Sequence, residues 1–402
     1  MDTRKPAGGG IRNIVILGLV SCFADISSEM VYPIIPLYLT AVLGATPALV
    51  GVVEGIAESV ASLLKVFSGS ISDRFQKKKA LAFAGYATGV LYKLALIFAS
   101  SWTGVLIARV IDRLGKGIRT APRDVMVAQS ADGSGMGRAF GIHKMLDMAG
   151  SAVGIGLSYL LLTAMGAGGY QTIFLVSILP IAIALGLFAF IREKKEPRRE
   201  KNHEPFWRNI GQLDGQLKLY LAVTFLFTLG NSSNSFLLLR AYDIGFSSTN
   251  AILLYFIYNV TASLLAIPLG RLSDRIGRKS LLVAGYVTFS LVYFGFAFCS
   301  GKALLMVIFV AYGVFAAMTA GVERAFIAEI APAGLKGTML GLHSTLAGIA
   351  LLPASVIAGL LWDKVGAYAP FVYGGSLSLT AACILGKGLR RKPVAIEAQE
   401  NE

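Results

Sequence analysis

Two stretches of the chain read almost alike, GSISDRFQKKKAL at Gly69–Leu81 and GRLSDRIGRKSLL at Gly270–Leu282. Each lies between long apolar runs, and the likeness spreads beyond the basic turn. Ala61-Ser62-Leu63-Leu64 precedes the first copy and Ala262-Ser263-Leu264-Leu265 the second, while Ala84-Gly85-Tyr86 and Ala284-Gly285-Tyr286 follow them. The offset is 201 residues before the turn and 200 after it, and Gly141-Ile142-His143 returns at 200 as Gly341-Leu342-His343. Ser27-Ser28-Glu29 has a looser echo in Ser232-Ser233-Asn234. The chain is therefore a duplicated unit of about 200 residues.

The composition says what kind of unit. Hydrophobic residues make up 55% and charged residues 15% of the 402 positions, which places the chain among polytopic helical membrane proteins. The net charge of +14 does not point to nucleic acid, because the basic residues sit in short loops and at the chain ends rather than among stacking aromatics. Cys22, Cys299 and Cys383 are far apart and match no disulfide or metal spacing. Arg4, Lys5 and Arg12 precede an apolar run too long for a signal peptide, so it reads as a retained first span.

At about 20 apolar residues per crossing, twelve transmembrane helices are expected near 12–39, 48–70, 80–99, 103–125, 139–163, 170–191, 217–241, 248–270, 280–299, 303–328, 338–362 and 367–386. These are helices 1 to 12 below. Loops alternate in charge: 71–80, 124–138, 192–208, 271–279 and 387–392 are rich in Lys and Arg, and those near 41–47, 100–102 and 164–170 carry neither. The positive-inside rule then puts both termini in the cytoplasm. Residues 192–216 break the apolar pattern with seven basic and four acidic side chains up to Arg208, and read as a cytoplasmic linker. The expected division is 1–191 as an N-terminal six-helix bundle, 192–216 as linker, and 217–402 as a C-terminal six-helix bundle with a short polar tail.

The pattern G-x-x-x-D-R-x-x-x-[KR] in a short loop, present twice at matching places, resembles the signature of the major facilitator superfamily, and the likeness covers essentially the whole chain. The first copy has Gln76 where the family usually has glycine; the second keeps Gly277. The resemblance implies an all-α integral membrane fold of two pseudo-symmetric six-helix bundles around a central cavity, alternating between inward-open and outward-open states. Physically, Asp73 and Asp274 can set a carboxylate against the positive end of a helix in the opposite bundle, with Arg74 and Arg275 at the cytoplasmic surface, and so latch one conformation.

An ionisable group inside a span costs about 3 kcal/mol on insertion scales and must face protein or water. The N-terminal half holds many. Asp25 and Glu29 share one face of helix 1 with Tyr32 and Pro36, and Glu54, Glu58 and Lys65 share a stripe of helix 2. On helix 4, Arg109, Asp112, Arg113, Lys116, Arg119, Arg123 and Asp124 fall within a sector of about 140 degrees. Helix 5 adds His143, Lys144 and Asp147. Near-equal numbers of acids and bases predict paired networks, with Asp112, Arg119, Arg123 and Asp147 as a charge network. Asp25, Glu29 and Glu58 are the candidate proton carriers, Glu29 and Glu58 foremost, since changing water access and a changing partner can load and unload a carboxylate. Drug-exporting relatives couple an acid on helix 1 to an arginine on helix 4. Their R-x-x-Q-G appears here as Arg109-Val110-Ile111-Asp112-Arg113, leaving Arg109 and Arg113 both open as the counterpart.

The C-terminal half is neutral where its partner is charged: Asn234 answers Glu29, Asn259 answers Glu58 and Tyr255 answers Glu54. Asn231, Asn234, Tyr255, Tyr258 and Asn259 are expected to form a polar-aromatic wall of the substrate cavity, facing Glu54, Arg109, Arg113 and Lys116. Glu323-Arg324 reads as an ion pair at the cytoplasmic end of helix 10, and His143 and His343 as hydrogen-bonded structural residues. No metal site, cofactor, phosphate-binding loop or catalytic motif is read from the sequence. The glycine ladder of helix 5, Gly150, Gly154 and Gly156, supports close packing and lacks the Gly-Pro pair of antiporters.

The expectation is a proton-coupled secondary transporter of the cytoplasmic (inner) membrane. It would export a small organic compound by antiport, as a monomer in the bilayer, with no nucleic-acid partner. The rival within transport moves an anionic metabolite on the helix 4 bases. The rivals of other classes are a non-transporting receptor, against which the acids of helices 1 and 2 speak, and an intramembrane enzyme.

Overall fold

The computed structural model describes residues 8–75, 78–131, 136–193, 214–331 and 336–388. The twelve helices stand close to their expected places. α1 runs Gly8–Val31, passes a 3-10 turn at Tyr32–Ile34 set by Pro33 and Pro36, and resumes as Ile35–Ala41. α2 is Pro47–Phe75, α3 Lys78–Ile97, α4 Trp102–Ser130 and α5 Met136–Met165. α6 comprises Gly169–Val176, Ile178–Leu187 and a 3-10 turn Phe188–Phe190. α7 comprises Gly215–Gly230 and Ser235–Asp243, followed by α8 Ser248–Ile276 and α9 Arg278–Phe298. α10 comprises Lys302–Thr319 and Val322–Ile330, α11 is Lys336–Lys364 and α12 Ala369–Gly388.

The repeat is kept in the helix ends. α2 and α8 both begin and end 201 residues apart; α3 and α9, and α5 and α11, begin 200 apart; α4 and α10 begin and end 200 apart. Among the described residues, eleven segments are long and apolar enough to cross a membrane. α4 is the exception because of its charges, yet it turns them inward. Arg109, Asp112, Arg113 and Arg119 are buried, and Ile107 and Leu114 stand exposed on the opposite side, a face suited to lipid.

Several expected spans are interrupted, and the break in α7 is the longest. α7 was expected to be continuous over 217–241, but Asn231-Ser232-Ser233-Asn234 interrupts it. Side chains of this type compete with the helix for backbone partners. Here Ser233 Oγ accepts from Ser235 N at 3.2 Å, and Ser355 Oγ of α11 accepts from Ser233 N at 3.3 Å.

Close approaches at glycine hold the helices together. Gly150 and Gly154 lie directly on the α1 backbone at Cys22 and Ile26, as the helix 5 ladder predicts, while Gly156 faces open space. The seam between the halves is α2 against α11, where Gly51 meets the Ser355 carbonyl and Gly348 meets Ser62; α5 packs against α8. Hydrogen bonds among the described residues cross it: Ser59 Oγ donates to Gly348 O at 2.6 Å, Tyr170 hydroxyl bonds Ser248 Oγ at 3.2 Å, and Ala48 N donates to Asp363 Oδ2 at 3.2 Å. The last two lie at the end opposite the basic loops, and so does the packing of Ile35–Ala41 against Ser235–Asp243. The halves are thus joined at the middle and at the end remote from the linker.

Candidate functional site

The charges predicted on α2 and α4 meet inside the N-terminal half. Arg109 Nη2 donates to Glu54 Oε2 at 2.6 Å, and both side chains are 1% exposed. Arg113 Nη2 stands 2.7 Å from Glu58 Oε1, and Asp112 Oδ2 lies 3.8 Å from each of Arg109 and Arg113. Arg109 also reaches Glu58 at 3.9 Å, so two guanidinium groups and three carboxylates form one connected cluster. The ring of Tyr32 from α1 closes it, with the Arg109 and Arg113 guanidinium carbons 5.2 and 6.0 Å from its centroid. Such a cluster survives burial only because each charge has a counter-charge. It still leaves Glu54 Oε1, Arg109 Nε and Arg113 Nε without hydrogen bonds.

Sequence reasoning missed one member. Lys93 of α3 is 1% exposed, lies within electrostatic reach of Asp112, and has its ammonium 4.5 Å from the Tyr92 ring centroid. With Lys93 counted, the cluster has three cations and three anions. The signal was legible: a lone lysine in the middle of the apolar run 80–99 carries the same insertion cost as the charges on α4.

The remaining predicted residues separate by position. Glu29 lies outside the ion-paired cluster, within electrostatic reach of Lys116, Arg113 and Arg109 and of Tyr255 and Tyr258 of the other half. Asp25 is joined instead to α5, where its carboxyl bonds that of Asp147 and accepts from Ser151 Oγ at 3.4 Å, while Lys144 Nζ holds Asp147 at 3.1 Å. Arg119 packs its guanidinium 4.3 Å from the Tyr86 ring centroid. Arg123 pairs with Asp124 at 2.9 Å and donates to Ser21 Oγ at 3.3 Å; Ser21 also bonds Tyr86 hydroxyl and His143 Nε2, each at 3.0 Å.

On the facing wall, Tyr312 hydroxyl donates to Asn234 Oδ1 at 2.8 Å and Asn234 Nδ2 donates to Tyr258 hydroxyl at 3.3 Å. Tyr32, Tyr255, Tyr258 and Tyr312 follow one another at centroid distances of 5.8, 5.2 and 5.1 Å, a ladder of rings that crosses from one half to the other. Asn259 Nδ2 is turned back to its own helix, donating to Tyr255 O at 2.8 Å, and Asn231 serves as the C-cap of the first segment of α7. Glu323 departs from its expected pairing with Arg324: it accepts from Tyr286 hydroxyl at 3.3 Å, because the short helix Val322–Ile330 restarts the chain after the break at Ala320-Gly321 and turns this side chain into the bundle.

The latch residues divide. The side chains of Asp73 and Arg74 lie outside the described residues, as does that of Lys65. Asp274, in the last turn of α8, is exposed and pairs with Arg278 at the start of α9 at 3.5 Å, and Arg275 is exposed beside it.

A duplicated set of twelve helices, eleven of them apolar enough to cross a membrane, with ion pairs buried in one half and aromatic rings in the other, defines a multi-pass membrane protein built in two bundles. The profile of the Major Facilitator Superfamily matches residues 17–229 and 219–402, and the chain belongs to that family. An uncharacterised MFS-type transporter of Methanocaldococcus jannaschii is 36% identical over 380 residues, 93% of this chain and 94% of that one. Multidrug resistance protein MdtH of Photorhabdus laumondii is 26% identical over 125 residues, 31% of each chain. In fold, a point mutant of the nucleoside transporter NupG superposes with a TM-score of 0.81 at 11% identity, covering 93% of this chain and 99% of that one. The protein is a membrane transporter and not an enzyme.

Proposed function

We propose that this transporter exports a small organic compound in exchange for protons, by alternating access across the cytoplasmic membrane, with both termini in the cytoplasm. The observation that carries the reading is the position of Glu29. It is a carboxylate inside the membrane-spanning part of α1 that stands outside the buried ion-paired cluster and within electrostatic reach of Tyr255 and Tyr258 of the opposite half. Proton and substrate can therefore address the same group, which is what coupling requires. Asp25, hydrogen-bonded to Asp147, is a second acid suited to carry a proton. Glu58, tied to Arg113 at 2.7 Å and one-third exposed, becomes the group that reports the change to α4. Tyr255, Tyr258 and Asn234 hold substrate. With the basic loops in the cytoplasm, the halves are joined on the outer side, as in an inward-open state. The likeness to MdtH over part of the chain favours export.

The anion reading is weaker on this geometry. Arg109 and Arg113 already hold Glu54 and Glu58, and Lys116 lies within electrostatic reach of three acids, Glu29, Asp25 and Asp112. Purified protein in liposomes, with an imposed pH gradient and a panel of cationic, neutral and anionic compounds, tests the proposal. Export coupled to protons predicts compound-dependent lumenal pH change in wild type. Transport with no proton movement overturns it.

A further inference from the structure

A groove opens on the outer side of the N-terminal bundle. There α3 packs on α4 and α6, and α6 on α1, while Phe83, Ile183 and Phe190 are left exposed around the linker end of the α3–α6 pair, an apolar surface suited to the bilayer. Between the two helices lies a cavity of about 640 Å³, walled by Ala80, Phe83, Leu185, Gly186, Phe188 and Ala189. Phe83 meets Phe188 edge-on at 5.6 Å, and a side chain at Gly186 would touch nothing, so the groove is open along α6. Lys79 and Glu193 stand at its linker end.

The polar end carries an excess of positive charge. Glu193 Oε1 accepts from Lys79 N at 3.2 Å, so the positive end of α3 already holds a carboxylate. The Lys79 ammonium donates to Ile191 O at 2.8 Å, which uses one of its N–H donors and none of its charge. Arg192 is exposed next along the chain, so Lys78, Lys79 and Arg192 outweigh Glu193. The repeat supplies a contrast, because Lys279, Val283 and Gly386 stand where Lys79, Phe83 and Gly186 stand in the first half. Lys279 Nζ ends on Gly386 O at 2.9 Å, whereas Lys79 reaches past Gly186 to the carbonyl of Ile191, beyond the 3-10 turn Phe188–Phe190. The ammonium is thus held at the glycine in the second half and at the far end of the groove in the first.

We propose that this groove binds an anionic phospholipid from the leaflet on the linker side, with the headgroup phosphate on Lys79 and Arg192 and one acyl chain lying between Phe83 and Gly186. Apolar walls that open on the bilayer take the chain, and the surplus of positive charge at the rim selects an anionic headgroup over a neutral one. A free phosphate would meet the rim alone. The site lies on the outside of one bundle, away from Glu29 and the tyrosine ladder, and does not depend on the export reading.

The test titrates delipidated full-length protein in detergent with phosphatidylglycerol, phosphatidylethanolamine and phosphatidylcholine, and reads the tightest bound lipid by native mass spectrometry, with inorganic phosphate as competitor. Phosphatidylglycerol should bind tightest, and Lys79→Gln and Arg192→Gln should each weaken it about fivefold, the effect of one basic residue at an anionic lipid. Lys79→Arg should keep it, and Gly186→Leu should weaken all three lipids by filling the groove. Lys279→Gln, the equivalent change in the second half, should leave binding at wild-type strength. Where Lys79→Gln does not purify, Gly186→Leu reads the same site, because its side chain enters open space. Phosphatidylglycerol affinity unmoved by Gly186→Leu, or neutral lipids bound as tightly as phosphatidylglycerol, overturns the proposal. Displacement of the lipid by inorganic phosphate also overturns it and marks a bare anion site instead.

Discussion

The interiors of the two halves solve one packing problem with opposite chemistry. At repeat-equivalent positions, Glu54, Lys93, Arg109 and Asp112 of the first half are answered by Tyr255, Tyr293, Phe309 and Tyr312 of the second. In the first half these residues belong to the buried ion-pair cluster. In the second they belong to an aromatic core in which Phe289 stacks on Tyr293 at 3.9 Å, Phe227 on Tyr286 at 4.0 Å, and Phe296 meets Phe309 edge-on at 5.2 Å. One backbone thus accepts either paired charges or stacked rings. The first half holds its interior by paired charge, the second by stacked rings.

Breaking the comparison should cost most where a charge is left alone. Arg109→Met strands Glu54 among 1%-exposed surroundings and should destabilise the protein by about 3–5 kcal/mol. It is read as a loss of detergent-solubilised folded protein or a large drop in Tm. The sharper form exchanges the chemistry of the halves: Glu54→Tyr with Arg109→Phe should recover most of that loss, because buried ion pairs are commonly replaceable by apolar packing but not by half a pair. Failure of the double variant to exceed Arg109→Met in Tm would show that the equivalence of the two interiors is only positional.

In the aromatic half, Phe289→Ala should cost about 3–4 kcal/mol, since the ring is fully buried and touches Phe227, Tyr293 and Phe315. Unlike the charge variants, its Tm deficit should be insensitive to pH between 6 and 8, where no ionisable group has lost its partner. Lys93→Met removes one of three cations and leaves Asp112 with Arg109 and Arg113 at 3.8 Å, so about 1–3 kcal/mol is expected by the same thermal assay. The smallest effect belongs to Asn259→Ala. Its amide is spent on its own helix, and the change should stay within about 0.5 kcal/mol.

Much of this was legible from residue order. The duplicated basic turn and the run lengths placed the helices, and the one-sided charges of α4 announced an interior face. What escaped were features that depend on packing between segments distant in sequence. The α7 break needed Ser355 of α11 to satisfy Ser233, and Glu323 needed Tyr286 of α9 to draw it from Arg324. Likewise, the separation of Glu29 from Glu54 and Glu58 could not be read from helical faces, because all three lie on interior stripes. Only the reach of Arg109 and Arg113 from α4 decides that two of them are bound and the third is left to Lys116 and the tyrosines.

The central claim is that Glu29 joins proton to substrate. For a compound that passes the liposome screen, it is tested by comparing proton-driven accumulation with substrate counterflow at equal pH on both sides, in wild type and Glu29→Gln. The account predicts that Glu29→Gln keeps counterflow within about threefold of wild type and loses at least tenfold of the proton-driven accumulation. Accumulation that persists in Glu29→Gln would contradict it and move the coupling to Asp25 or Glu58.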